Sequence, residues 1–142
     1  MPRILLPVDG SENSLRAVRD VVSKHDWYQK PFEVRLLNVQ LPIASGLVKS
    51  FISGSQLDGF YRDQGLGALA QARAILDDAG VPYHHHIGVG ELANTILDYA
   101  KDKNTDLIIM GTHGRGAIKG ALLGSVASQV LNQAGIPVLL VS

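Results

Sequence analysis

The apolar residues of this chain form two alternating patterns, short continuous runs and longer stretches with helical spacing. Near-continuous apolar runs predict strands over residues 4–8, 32–39, 106–110 and 137–141, and a further strand is predicted over 83–89, after the helix-ending Gly80 and Pro82. Between them, apolar positions three or four residues apart predict helices over about 12–25, 56–79, 91–103 and 125–134. Residues 40–54 show no period and are predicted to form a loop. Phe60 and Tyr61 fall on the predicted inner face of the second helix, and Gly65 and Gly67 are expected to weaken its middle.

This alternation of strands and helices predicts an α/β fold. Near-continuous apolar strands are typical of a parallel sheet that is covered on both faces, and right-handed crossovers make such a sheet doubly wound. Ligands of these sheets bind beyond the carboxyl ends of the strands, where the winding reverses. Asp9, Val39 and Gly111 stand at or just beyond the ends of the first, second and fourth strands. If the first and fourth strands are neighbours, all three residues face one crevice.

Composition narrows the classes of function. A length of 142 residues predicts a single domain spanning 1–142. The formal net charge is zero, so no cationic field favours nucleic acid or an anionic membrane. The absence of cysteine excludes disulfides and thiolate metal sites. No apolar run approaches the ~20 residues of a membrane span, and no signal peptide is visible, so we expect a cytoplasmic protein.

The segment from Gly111 to Ser125 carries the strongest chemical signal. It holds five glycines and joins a buried strand to a helix. Glycines let the backbone approach an anion, and the N–H groups of a helix start point toward it. The segment therefore predicts a phosphate site, in which Gly111 and Gly114 approach the phosphates while Gly124 and Ser125 present N–H groups. Neither the P-loop motif nor the Rossmann glycine motif is present.

Four segments resemble the universal stress protein family. They are the opening Ile-Leu-Leu-Pro-Val-Asp-Gly-Ser (4–11), the strand and loop 108–115, the spacing Gly111-x2-Gly114-x9-Gly124-Ser125, and the closing strand 136–141. The resemblance implies a Rossmann-like, doubly wound five-stranded parallel sheet of order 3-2-1-4-5, with helices on both faces. It also implies homodimers paired through the last strand, Val138 to Val141. The complete glycine motif places the chain with the ATP-binding members, whose roles are in stress tolerance and regulation.

The resemblance also assigns roles to individual residues. It places Asp9 on the adenosine side, where the carboxylate accepts a hydrogen bond from ribose or base, and it places the Val39 backbone at the adenine edge. The alternative role of Asp9 is that of a turn former with Gly10. The candidate ligand-binding residues are Pro7, Val8, Asp9, Val39, Met110, Gly111, Gly114, Arg115, Gly116, Gly124, Ser125 and Val126. The implied cofactor is ATP, or ADP or AMP, with Mg²⁺ or Mn²⁺ bridging the phosphates.

Three functions remain open at this point. The first is a regulatory ATP-binding protein in which segment 40–54 responds to the nucleotide. The second is a slow ATPase or nucleotidyl-transfer enzyme that uses Arg115, Lys119 or His113, and the third is an interaction module with a vestigial pocket. The run His84 to His86 predicts no metal site, because only two of its side chains share a face of a strand.

Overall fold

The structure, a computed structural model, describes residues 1–43, 46–113 and 123–142, with Val48 and Lys49 described by their backbone alone. The strands are β1 (Arg3–Pro7), β2 (Glu33–Gln40), β3 (Tyr83–Val89), β4 (Leu107–Gly111) and β5 (Val138–Val141). The helices are α1 (Glu12–Ser23), α2 (Gly46–Phe51), α3 (Gly54–Asp78), α4 (Leu92–Asp102) and α5 (Ser125–Gln133). A short 3₁₀ turn, His25–Trp27, follows α1.

All five strands form one parallel sheet in the order β3-β2-β1-β4-β5. β1 lies at its centre, where Ile4 pairs with Val34 of β2 on one side and with Leu107 of β4 on the other. The predicted fold class and strand order are therefore confirmed. The winding reverses between β1 and β4, and this reversal creates the crevice in which doubly wound sheets bind ligands.

The two faces of the sheet bury separate apolar clusters. Successive side chains of a strand point to opposite faces, so Ile4 and Leu6 join α1 and α3 in one cluster, whereas Leu5 joins α4 and α5 in the other. Helices cover both faces, which explains the continuous apolar runs of β1 and β4, whereas the edge strand β3 carries the exposed run His84 to His86. None of the helices within the described ranges is long and apolar enough to cross a membrane.

Local differences from the sequence predictions have simple physical causes. The prediction of a loop over 40–54 is wrong for α2, whose six residues are too few to show a helical period. On α3, Tyr61 is buried but Phe60 is 47% exposed. The buried face of the helix runs from Tyr61 through Gly65 to Leu69, and Phe60 lies outside it. Gly65 does more than weaken the helix, since a side chain there would collide with Ile87 of β3.

Candidate functional site

The carboxyl ends of β1 and β4 meet at the point where the winding reverses. Pro7 ends β1, and Val8 and Asp9 lead from it into the turn before α1. Gly111 ends β4 on the neighbouring strand. The predicted residues of both strands therefore border one crevice. Gly114, Arg115 and Gly116 lie outside the described residues, and their predicted roles stay predictions.

The β1–α1 junction is a closed turn. Gly10 has a φ of 84°, a left-handed conformation that favours glycine. Ser11 N–H donates to Asp9 Oδ1 at 2.8 Å, which is the turn-forming role that the sequence allows for Asp9. Ser11 then caps α1, because its hydroxyl accepts from Ser14 N–H at 3.2 Å. The turn is therefore closed by two successive hydrogen bonds, one to the Asp9 carboxylate and one to the Ser11 hydroxyl.

The end of β2 leaves one peptide edge facing the crevice. Val8 N–H donates to Leu37 O at 2.8 Å, so Leu37 faces β1, and Val39, two residues further on, faces the same side. The next bond of a regular ladder would join Val39 N–H to Val8 O. Val8 O instead accepts from the side chain of the buried Asn38, at 2.9 Å. Within the described residues, the Val39 peptide edge therefore makes no bond to β1.

The β4–α5 junction brings the two ends of the glycine segment together. Thr112 N–H donates to Val141 O at 3.2 Å, and Gly124 N–H donates to Thr112 O at 2.6 Å. The prediction that the Gly124 N–H faces an anion is therefore wrong, because this N–H is used inside the protein. Gly124 is needed instead for close approach, since a Cβ there would lie 2.9 Å from Thr112 O.

Among the described residues, the start of α5 has no side-chain cap. Gly124 stands at its N-cap, and Ser125, its first residue, is exposed. The other long helices are capped by side chains, α1 by Ser11, α3 by Ser53 and α4 by Glu91. The first N–H groups of a helix have no partner inside the helix and carry a partial positive charge. The first turn of α5 therefore offers donors beside the crevice.

The comparisons with known proteins agree with this geometry. The sequence model of the Universal stress protein family matches residues 1–142. The chain belongs to the universal stress protein family. It is 32% identical over 141 residues to Universal stress protein MJ0531 of Methanocaldococcus jannaschii, an alignment that covers 98% of this chain and 81% of that protein.

Solved structures of family members share the fold. MJ0577 of the same organism superposes with a TM-score of 0.80 at 31% identity, covering 98% of this chain and 94% of the other. A family protein of Arabidopsis thaliana was solved with AMP bound; it has a TM-score of 0.70 and 18% identity, and the match covers 99% and 91% of the two chains. At that identity the second likeness shows the fold alone.

The apolar candidates of this universal stress protein mostly belong to its core. Val8 is 3% exposed and packs in the α1–α3 cluster, whereas Met110 is 6% exposed and packs in the α4–α5 cluster. Val39 and Val126 are partly buried against that second cluster, and Pro7 is buried in β1. These residues anchor the edges of the crevice in the core, and a ligand could contact only the few of their atoms that stay exposed.

Sequence reasoning missed two asparagines that organise the site. Asn38 holds the end of β1, and Gln40 Nε2 in turn donates to its Oδ1 at 2.7 Å. Asn13 of α1 accepts from His113 N–H at 2.8 Å and so ties α1 to the glycine segment. A polar residue inside the apolar run of β2 was a visible signal for Asn38. Asn13 gave no such signal, because its partner lies 100 residues away.

The histidine run of this universal stress protein lies on the edge strand β3, away from the crevice. Its three side chains, His84 to His86, are exposed, and His86 stacks on Tyr99 of α4 with 5.1 Å between ring centroids. Partial burial, together with the nearby charges of Lys103 and His85, lowers the pKa of His86. Across the described ranges, no three His, Cys, Asp or Glu side chains are grouped to hold a metal.

Proposed function

We propose that this universal stress protein binds an adenine nucleotide, with ATP as the working ligand, in the crevice between β1 and β4. Its role would be regulatory, in the response to stress, and not rapid turnover. The observation that carries the proposal is the start of α5, which has a glycine N-cap and no side-chain cap among the described residues, beside the carboxyl end of β4. A helix start of this kind suits a phosphate.

The phosphate end of the proposed site is the segment from Gly111 to Val126. Ser125 and Val126 contribute N–H groups of the first turn of α5, and the Ser125 hydroxyl is exposed and able to donate. Gly111 and Gly124 shape this end by close approach within the protein, Gly111 to Asn13 and Gly124 to Thr112. By the family resemblance, Gly114, Arg115 and Gly116 complete this end. The AMP bound to the Arabidopsis protein supports an adenine nucleotide as the class of ligand.

The adenosine end of the proposed site is formed by Val39 and Asp9. The Val39 peptide edge offers a donor and an acceptor, and adenine presents an exocyclic amine beside ring nitrogens that accept hydrogen bonds. Asp9 Oδ1 accepts from Ser11 N–H, and a carboxylate is the kind of acceptor that a ribose hydroxyl would use. Asp9 also belongs here on charge grounds, because a carboxylate repels phosphate.

A divalent cation would enter the proposed site with the nucleotide. The described residues supply no cluster of three carboxylate or imidazole ligands. Phosphate oxygens are the usual ligands of Mg²⁺ in nucleotide sites, so Mg²⁺ or Mn²⁺ would bridge the phosphates. Phosphoryl transfer also needs a nucleophile positioned beside the terminal phosphate. The carboxylate nearest the crevice, Asp9, is assigned to the sugar, which supports regulation over a slow ATPase.

The test of this function is calorimetric titration of the wild-type protein and Gly124→Val with ATP. We expect micromolar binding by the wild type and at least ~10-fold weaker binding by the variant, because the new side chain pushes against Thr112 and His113. Gly67→Val is the matched control, since a side chain there has open space and the position lies in α3. Equal ATP affinity of all three proteins would contradict the proposed phosphate site. A wild type that does not bind ATP would favour an interaction module.

We further propose that this protein is a single cytoplasmic domain. We propose that it forms a homodimer in which β5 pairs with a second copy. This strand is an edge of the sheet, and Leu139 on it is 38% exposed. An edge strand presents unpaired backbone groups, which a second copy can satisfy. Light scattering should therefore give twice the chain mass for the wild type and a smaller mass for Val138→Lys. The same mass for both proteins would place any dimer contact elsewhere.

A further inference from the structure

We infer that Asn13 is a positioning residue of the nucleotide site, which fixes the start of the glycine segment against α1. The inference rests on the proposed nucleotide function and adds a residue to it. Asn13 lies in the first turn of α1, in the junction that follows β1. The segment that it holds follows β4. One side chain thus joins the two sides of the crevice.

The first contact is a hydrogen bond of ordinary length across the crevice. His113 N–H donates to Asn13 Oδ1 at 2.8 Å, and both residues are partly buried. His113 is the last described residue before the undescribed part of the glycine segment. A backbone bond at this point fixes the direction in which the chain leaves β4 more firmly than a side-chain contact would, because it fixes a peptide plane.

The second contact explains why β4 ends in glycine. A Cβ on Gly111 would overlap Asn13 Oδ1 and would lie 2.9 Å from the Asn13 carbonyl oxygen. Helix α1 therefore approaches β4 so closely that only a hydrogen atom fits between them. Gly111 and Asn13 act together, since the glycine permits the approach that brings Oδ1 within reach of the His113 amide.

The other end of the segment is held at the same place. Gly124 N–H donates to Thr112 O at 2.6 Å, and a Cβ on Gly124 would lie 3.4 Å from His113 Cα. The start of α5 is therefore set relative to Thr112 and His113. Because Asn13 sets the position of His113, it also sets the donors of α5 relative to the turn that contains Asp9. Asn13 would thus fix the distance between the phosphate and ribose ends.

The acceptor in this bond is also electrically neutral. Asn13 accepts through a neutral oxygen, so it holds the amide without placing a negative charge beside the phosphates. Glu or Asp at this position would also accept the bond, but would repel a polyphosphate. The choice of a neutral acceptor therefore fits a neighbour that binds an anion. Positioning of this kind affects ligands with phosphates and spares adenosine.

The experiment compares Asn13→Ala with the wild type and with Arg16→Ala, an exposed change one turn further along α1. Alanine favours a helix, so none of these changes threatens α1. Amide hydrogen exchange of His113 is followed by NMR, and affinities for ATP and for adenosine are measured by calorimetry. We expect Asn13→Ala to expose the His113 amide and to weaken ATP binding by ~10-fold, the size of one lost hydrogen bond in a polar site. Adenosine affinity and all values for Arg16→Ala should change by less than ~2-fold, since neither touches this bond.

A conservative variant separates positioning from simple damage. Asn13→Asp keeps an acceptor oxygen, so the His113 amide should stay protected. Its loss of ATP affinity should shrink as salt is raised, because the cause is charge, whereas the loss in Asn13→Ala should persist. Unchanged ATP affinity in Asn13→Ala, or equal losses for ATP and adenosine, would overturn the inference alone. A wild type that binds no ATP would instead overturn the proposed function and this inference with it.

Discussion

The β1–α1 and β4–α5 junctions each join a parallel strand to the next helix along the chain, yet their helix starts are built in opposite ways. α1 starts with a Ser11 cap and has Glu12 in its first turn. α5 starts with Gly124, has no side-chain cap among the described residues, and has no acidic residue in its first turn. The first helix start is capped and neutralised by its own chain, whereas no described side chain caps the donors or offsets the partial positive charge of the second.

This difference would let the fold hold an anion at one of the two junctions and not at the other. Both junctions lie at the carboxyl ends of adjacent strands, so topology alone would allow an anion at either. The closed junction instead contributes a carboxylate turn and the Asn13 side chain, which holds its neighbour. The open junction contributes the helix donors. A polyphosphate would therefore be directed to α5 and the sugar to β1.

The sharpest test of the comparison makes the open junction resemble the closed one. Ser125→Asp places a carboxylate at the first position of α5, the position that Glu12 occupies in α1. We expect ATP affinity to fall by ~10-fold or more, because like charges a few ångströms apart near a surface repel by about 1–4 kcal/mol. We also expect the free energy of unfolding to rise by about 0.3–1 kcal/mol, since the carboxylate favours the helix start. Calorimetry and urea denaturation measure the two effects.

Ser125→Asn is the matched control, because asparagine has nearly the same shape as aspartate but carries no charge. Its ATP affinity should stay within ~3-fold of the wild type, since the helix donors are unchanged and the asparagine amide can donate in place of the Ser125 hydroxyl. The difference between the two variants should shrink at high salt. If Ser125→Asp bound ATP as tightly as Ser125→Asn, the open helix start would have no anion to hold.

The fold and the crevice that borders the candidate site could be predicted, because both depend on patterns that are local in sequence. Near-continuous apolar runs predicted the inner strands of the sheet, and the strand ends at the reversal of winding predicted the crevice. The β3 strand was predicted with its bounds intact, since Gly80 and Pro82 mark its start. The strand order followed from the family resemblance and not from a local pattern.

The finer structure of the site could not be predicted, because it depends on contacts between distant segments. No local pattern links Asn13 to His113 or shows that the Gly124 N–H is already used by Thr112. The packing role of Gly65 was likewise missed, since its close contact with Ile87 comes in addition to its effect on the helix. Glycine and asparagine are common in turns and helix ends, so their presence alone does not reveal a close approach between elements.

The smallest expected effect comes from opening the closed junction. Ser11→Ala removes the hydroxyl that accepts from Ser14 N–H, and loss of such a cap costs about 1 kcal/mol of unfolding free energy. ATP affinity should change by less than ~3-fold, because the Ser11 N–H to Asp9 bond uses the backbone and survives. Ser11→Thr, which keeps a hydroxyl cap, should recover most of the stability in urea denaturation. If Ser11→Ala instead weakened ATP binding as strongly as Ser125→Asp, the phosphates would lie at both helix starts. The contrast between a closed and an open junction would then not describe how this protein binds nucleotide.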